Sequence, residues 1–278
     1  MAAPGAKSPR GGRVKVRMAG PPLTVSRRVN AERLVLLGWS RAILLQLSHP
    51  LVAAGVAAHS SFGSGPVAAA TRLHHTVRAM LDLTFGDEAA RARVLATIHA
   101  IHNRVHGALA RAVGPFPQGT PYSANDPDLL LWVHVTLLDS VMLAHETFVR
   151  PLEPSERDAY CVEAAPVAID LGASAAAVPR TWQALTDYMA VVQRSGVLVV
   201  SDEARHVAGA VLAPPMSAAI WPIAWLNRRF TIGSLPKELR LQYGFDDRIG
   251  HVDRAARVIR GARRVMPRAL AVWGASRS

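Results

Sequence analysis

Apolar positions along this chain fall into helix-length segments at the three-and-four-residue spacing of an amphipathic helix, parted by proline, glycine and acidic punctuation. The pattern predicts helices over 31–47, 50–60, 66–83, 87–111, 126–149, 154–172, 179–193, 201–212, 217–229, 236–242 and 250–264. Pro50 opens one segment, and Asp87-Glu88 puts negative charge at the start of another. Gly114, Pro115, Pro117 and Gly119 break the chain into a loop, after which Asn125-Asp126-Pro127 offers an N-cap and a first-turn proline. The most apolar segment, Leu129 to Leu143, contains His134 and Asp139 and reads as a buried core helix rather than a membrane span. No internal repeat is visible.

Half of the residues are hydrophobic and only 6% are aromatic. Ala, Leu and Val carry the apolar mass, so the core is built from helix formers. The expected fold is all-α, one globular multi-helix domain over residues 23–270. A basic tail over 1–22, rich in Gly and Pro, reads as disordered, and a short C-terminal tail covers 271–278. A single cysteine, Cys161, excludes an internal disulfide framework and an iron–sulfur cluster held by several thiolates of this chain.

The net charge is +12. Basic residues at Lys7, Arg10, Arg13, Lys15, Arg17, Arg27 and Arg28 all precede the first acid, Glu32, and a second concentration runs from Arg254 to Arg268. No helix-turn-helix, zinc-finger or RNA-binding signature accompanies them, so nucleic acid is not an expected partner. Peripheral membrane contact through the basic tail is the alternative such charge allows. Ser26-Arg27-Arg28 before Leu34-Val35-Leu36-Leu37 faintly suggests a twin-arginine signal, but Glu32 and Arg33 stand where the apolar region would begin. The expected location is cytoplasmic.

Candidate chemistry centres on histidine. Nine of the 11 histidines lie between His49 and His145. His99, His102 and His106 recur at helical steps, which would set three imidazoles on one face of the 87–111 helix. Such a face is either a solvated polar stripe or a metal or haem ligand with its helpers. Arg72, His75 and Thr76 bring a cation, an imidazole and a hydroxyl to one helical face, and His134 sits where an imidazole must find a partner. His49 and His59 suit helix boundaries, and His74 lies off the Arg72/Thr76 face. His145-Glu146 lacks the paired Glu-x-x-His spacing of a di-iron site. Asp202-Glu203 reads as an ordinary helix start.

A series of ordered motifs adds a further constraint. Gln46-Leu47-Ser48-His49-Pro50 leads into Ala54-Gly55-Val56 and His59-Ser60-Ser61-Phe62, followed by Arg72-Leu73 with Thr76, then Thr84-Phe85-Gly86. His102-Asn103-Arg104-Val105-His106-Gly107, Tyr122-Ser123-Ala124-Asn125-Asp126-Pro127 and Leu130-Leu131-Trp132-Val133-His134 come next, then Tyr160 with Glu163. Leu212-Ala213-Pro214-Pro215, Leu239-Arg240 and Tyr243-Gly244 close the series. In order and spacing it resembles the MpaB and rubber-oxygenase (latex-clearing protein) catalytic domain family, over about residues 24 to 268, and most closely the compact bacterial members.

The resemblance implies an all-helical fold with b-type haem in a pocket between helices and His102 as the proximal ligand to iron. Arg72 and Thr76 match a distal arginine and threonine. His75 stands where some rubber oxygenases carry a lysine that caps the iron. Extra segments of the rubber-cleaving members are not found, so polyisoprene is not carried over as substrate. Haem propionates require cations, for which Arg41, His99, His106 or a C-terminal arginine are candidates, and His134 is a buried supporting group or an alternative ligand. The function implied is haem b-dependent oxygenation of a small apolar substrate with dioxygen. Two other classes stay open: a haem-binding or apolar-ligand protein without turnover, and a non-haem metal hydrolase, which needs three ligands and an open position.

Overall fold

The most apolar segment of the chain becomes its central helix. A computed structural model describes residues 24–59, 66–212, 221–246 and 253–273, with the side chains of 66–70, 72 and 73 outside the description. In it, α6 runs Pro127–Phe148, started by the Asp126 carboxylate, which accepts from the amides of Asp128 and Leu129 at 2.9 and 3.2 Å. Trp132, Val135, Thr136, Met142, Ala144 and Phe148 are buried on it to within 1% exposure. Each of its large apolar side chains contributes about 2–3 kcal/mol by leaving water. α6 is long and apolar enough to cross a membrane, but 67% of its apolar window is buried inside the fold, as expected of a core helix.

Shorter helices wrap this axis. α1 (Val25–Ala31), which the sequence pattern does not mark, is capped by the Thr24 hydroxyl and passes through a 3-10 turn at Arg33–Leu36 into α2 (Leu37–Leu47). α2 crosses α6 so closely that a Cβ on Gly38 would overlap the Ser140 carbonyl oxygen, which leaves glycine the residue that fits. The chain then bends by 109° into α3 (Pro50–His59). The bend follows from Pro50, which can start a helix but not continue one, and from the Ser48 hydroxyl, which donates to the Leu45 carbonyl at 2.6 Å.

α4 (Pro66–Phe85) and α5 (Glu88–His102) form a hairpin, with the Asp87 carboxylate capping α5 at the Ala90 amide. The expected 87–111 helix therefore stops at His102. The chain instead forms a two-stranded antiparallel ribbon, β1 (His106–Ala108) with β2 (Pro121–Ser123), in which His106 faces Ser123. Long-range pairing overrides the helical pattern here: the Ala124 amide donates to the Val105 carbonyl, and the Asn125 side chain to Asn103. The all-α class stands with this small ribbon added.

α7 (Pro154–Asp170) opens with a capping box between Glu153 and Glu156, and α8 (Trp182–Arg194) is capped by Thr181. α9 (Asp202–Leu212), α10 (Trp221–Ser234), α11 (Lys237–Gln242), α12 (Asp253–Val265) and α13 (Arg268–Ala271) complete the described helices. The C-terminal helices are tied back to the start of the fold. Arg263 grips Glu32 through two nitrogens, and the Trp273 amide donates to the Ala31 carbonyl at 3.0 Å. The basic tail expected over 1–22 lies outside the described residues.

Candidate functional site

Between the α4–α5 hairpin and the body of the fold lies a cavity of about 720 Å3, within the range of roughly 300–1,000 Å3 typical of cofactor and small-molecule sites. Its apolar wall comes from Trp39, Ala42 and Ile43 of α2, Val133, Leu137, Leu138 and Val141 of α6, Ala79, Met80 and Leu83 of α4, and Ile98 of α5. The hairpin explains why such a space exists. α5 has no buried residue along its fifteen positions, so its contacts to the body are made at a few polar anchors rather than by a packed face. Arg91 pairs with the Asp170 carboxylate at 2.8 Å, and a ring nitrogen of His99 lies 3.0 Å from the Asp170 carbonyl oxygen. On the α4 side, the Arg27 guanidinium donates to the Phe85 carbonyl, and Asn30 donates to Thr84.

A chain of polar groups runs along the cavity wall at α1 and α7. The buried Tyr160 hydroxyl donates to Asn30 Oδ1 at 2.9 Å, and Asn30 Nδ2 donates to Thr84 Oγ1 at 3.2 Å. Burial pushes the Tyr160 phenol well above its usual range, so it stays protonated and acts as a donor. The Glu163 carboxylate accepts from the Val25 and Ser26 amides at 3.2 and 2.6 Å. These bonds hold its pKa below the ordinary carboxylate value even though its burial acts the other way. Glu163 thereby anchors the first turn of α1 beside the cavity. The motif residues Thr84, Tyr160 and Glu163 carried the sequence signal for this wall, whereas Asn30 and Trp39 carried none.

The histidines separate. His134 is buried in the cavity wall, and its Nε2 has no hydrogen-bond partner. Burial lowers its pKa to about 4, so the ring is neutral at physiological pH. His102, the last residue of α5, is half-buried and is not among the residues that line the cavity. Its Nδ1 is buried without a partner, and its pKa is lowered by burial first and by neighbouring His99 second. His106 is exposed on β1 rather than on the α5 face, so the expected three-imidazole stripe reduces to His99 and His102.

The remaining candidates also find definite places. Thr76 lines the cavity from α4. Arg72 stands one helical turn earlier on the same helix, with its side chain outside the described residues. His75 is exposed, its ring 6.0 Å from that of His74. Arg41, a candidate propionate partner, is buried, paired with Asp139 and Ser140 and bonded to the Ser234 carbonyl, and it is not among the residues that line the cavity. Among the described residues, the arginines that line the cavity are Arg27 and Arg91. Among the described residues, no group of three or more His, Cys, Asp or Glu is placed to hold a metal ion.

These features suit a group that is largely apolar, carries carboxylates and offers one coordination position. The wall supplies apolar area, Arg27 supplies positive charge with Arg91 beside it in its pair with Asp170, and His134 holds a buried imidazole nitrogen without a partner. A b-type haem is one group of that chemistry. Residues 26–268 match the family model described as ER-bound oxygenase mpaB/B'/rubber oxygenase, catalytic domain. Comparison with curated proteins and comparison with solved structures each gave no match. With nearly the whole described chain inside that match, the protein belongs to the MpaB and rubber-oxygenase catalytic-domain family and carries an oxygenase catalytic domain.

Proposed function

We propose that this protein is a haem b-dependent oxygenase acting with dioxygen on a small apolar molecule. The observation that supports the reading most is the apolar cavity with a buried, unpartnered imidazole nitrogen in its wall. An unpaired buried polar group costs about 1–3 kcal/mol, a cost that ligation or a bound hydrogen-bond partner would offset. Haem b, when bound, supplies the binding and reductive activation of dioxygen.

The chain's own residues supply the rest. His102, which the resemblance implies as a ligand, would hold the iron through an imidazole whose pKa burial lowers, favouring the neutral form that ligates. Thr76 presents a hydroxyl to the cavity, and Arg72 precedes it by one turn. Arg27 and Arg91 are the cations suited to carboxylates on the bound group. The leucines and valines of α6 exclude water and give an apolar substrate its surface. In a second reading His134 would hold the iron, and one observation favours it: His134 lines the cavity and His102 does not.

The test is visible absorption of protein purified from iron-replete cells, oxidised and then reduced with dithionite. The proposal expects a Soret band, lost in His102→Ala and kept in His134→Ala. The opposite pattern transfers the ligand role to His134. A colourless protein that takes up no haem on reconstitution overturns both readings.

A further inference from the structure

α12 packs against the end of α6 and carries an outer surface that does not line the cavity. Its inner face is committed: Ala256 is buried, Arg260 donates to the Thr147 carbonyl at 2.9 Å, and Arg263 holds Glu32. Its outer face is different. Val258 and Val265, seven residues apart and therefore on one stripe, are 72% and 84% exposed. Arg254, Arg257, Arg264 and, just beyond, Arg268 run beside them, and among the described residues the side chains of these four have no ion-pair or hydrogen-bond partner. Asp253 is the only acid from 253 to 270. Leu270 of α13 is 62% exposed.

A second element shares this end of the fold. Phe230 of α10 and Ala256 of α12 belong to one small apolar cluster around Phe148 at the end of α6. The first turns of α10 leave Trp221, Ile223 and Trp225 exposed, with Arg229 stacked over the Trp225 ring.

From this combination we infer that the outer face of α12–α13, with the start of α10, docks on an anionic lipid surface. Exposed apolar side chains of this size are costly in water unless something covers them. Interleaved arginines can extend their charged ends to lipid phosphates while their stems and the valines enter the acyl boundary. Exposed tryptophan suits the same headgroup layer. A nucleic acid would use the arginines but leave Val258, Val265 and Leu270 uncovered, so lipid is the better match to the whole face. The surface does not depend on what the cavity holds.

The experiment is co-sedimentation of the full chain with vesicles of phosphatidylcholine alone and of phosphatidylcholine mixed with phosphatidylglycerol. Binding is expected only to the mixed vesicles and to weaken with added salt. Each arginine near an anionic surface is worth about 1 kcal/mol, roughly fivefold in partitioning. The variant Arg254→Gln/Arg257→Gln/Arg264→Gln/Arg268→Gln, checked for folding by circular dichroism, should therefore lose at least tenfold in binding. Val258→Asn/Val265→Asn should weaken binding with the charge intact. Bromolipid in the mixed vesicles should quench tryptophan fluorescence, and Trp221→Phe/Trp225→Phe should remove most of that quenching. No sedimentation with anionic vesicles, or equal binding by the four-arginine variant, overturns the inference. Tighter binding to duplex DNA than to vesicles, unaffected by the valine variant, overturns the choice of lipid.

Discussion

His99 and Asp170 join the cavity's outer hairpin to the body of the fold: the His99 ring nitrogen lies 3.0 Å from the Asp170 carbonyl oxygen, and the carboxylate of Asp170 holds Arg91. A histidine that binds a metal usually has its second nitrogen fixed by a carbonyl or carboxylate. Here the fixed histidine is His99, and the Nδ1 of His102 is left without such a partner.

His99 is therefore a positioning residue for the hairpin. His99→Ala should leave the core folded, because no residue of α5 is buried, and should raise the rate of haem loss several-fold without abolishing binding. Transfer of haem to an excess of apomyoglobin, followed by absorption, measures that rate. Unchanged haem loss would remove His99 from this role.

Arg41 makes the opposite prediction. Its removal strands Asp139 beside the core, a loss of about 3 kcal/mol for breaking a buried pair by one partner, while the cavity lining stays intact. Urea unfolding of Arg41→Met should show the lower midpoint, and haem affinity of the folded fraction should match wild type.

His145 and His49 make stability depend on pH. Burial is the largest cause in each and lowers the pKa from 6.5 to about 4. A nearby Arg150 adds to the lowering at His145, and Asp126 partly opposes it at His49. Both rings fold neutral, so the unfolded chain binds more protons between pH 6.5 and 4. Stability is complete above pH 6.5 and falls as pH drops towards 4, by about 3 kcal/mol per residue at the limit. His145→Phe should flatten that slope in urea titrations at successive pH values. An unchanged slope would show that the ring is hydrated in solution.

Local signals were legible wherever one segment settles its own structure. Asp126-Pro127 starts α6, Pro50 starts α3 and Asp87 caps α5, each as the sequence implies. The helical spacing of His99, His102 and His106 misled because the ribbon that ends α5 depends on Ser123 and Ala124, residues a loop away. α1 was invisible because part of what fixes it, the Glu163 carboxylate on its first amides, arrives from α7. Arg41 looked available because its partner Asp139 is nearly a hundred positions downstream. Thr76 and His134 were readable as candidates, but that they share one cavity with Trp39 and Tyr160 is a property of the packing.

The most direct test of the account is haem content per chain, measured by the pyridine haemochrome method, in wild type and in Ala79→Trp. Ala79 lines the cavity from the hairpin, so an indole there takes up part of the space that a bound haem would need. Close to one haem b per wild-type chain is expected, with its loss in a folded Ala79→Trp variant. Full haem occupancy in the filled variant, or none in wild type after reconstitution, would contradict it.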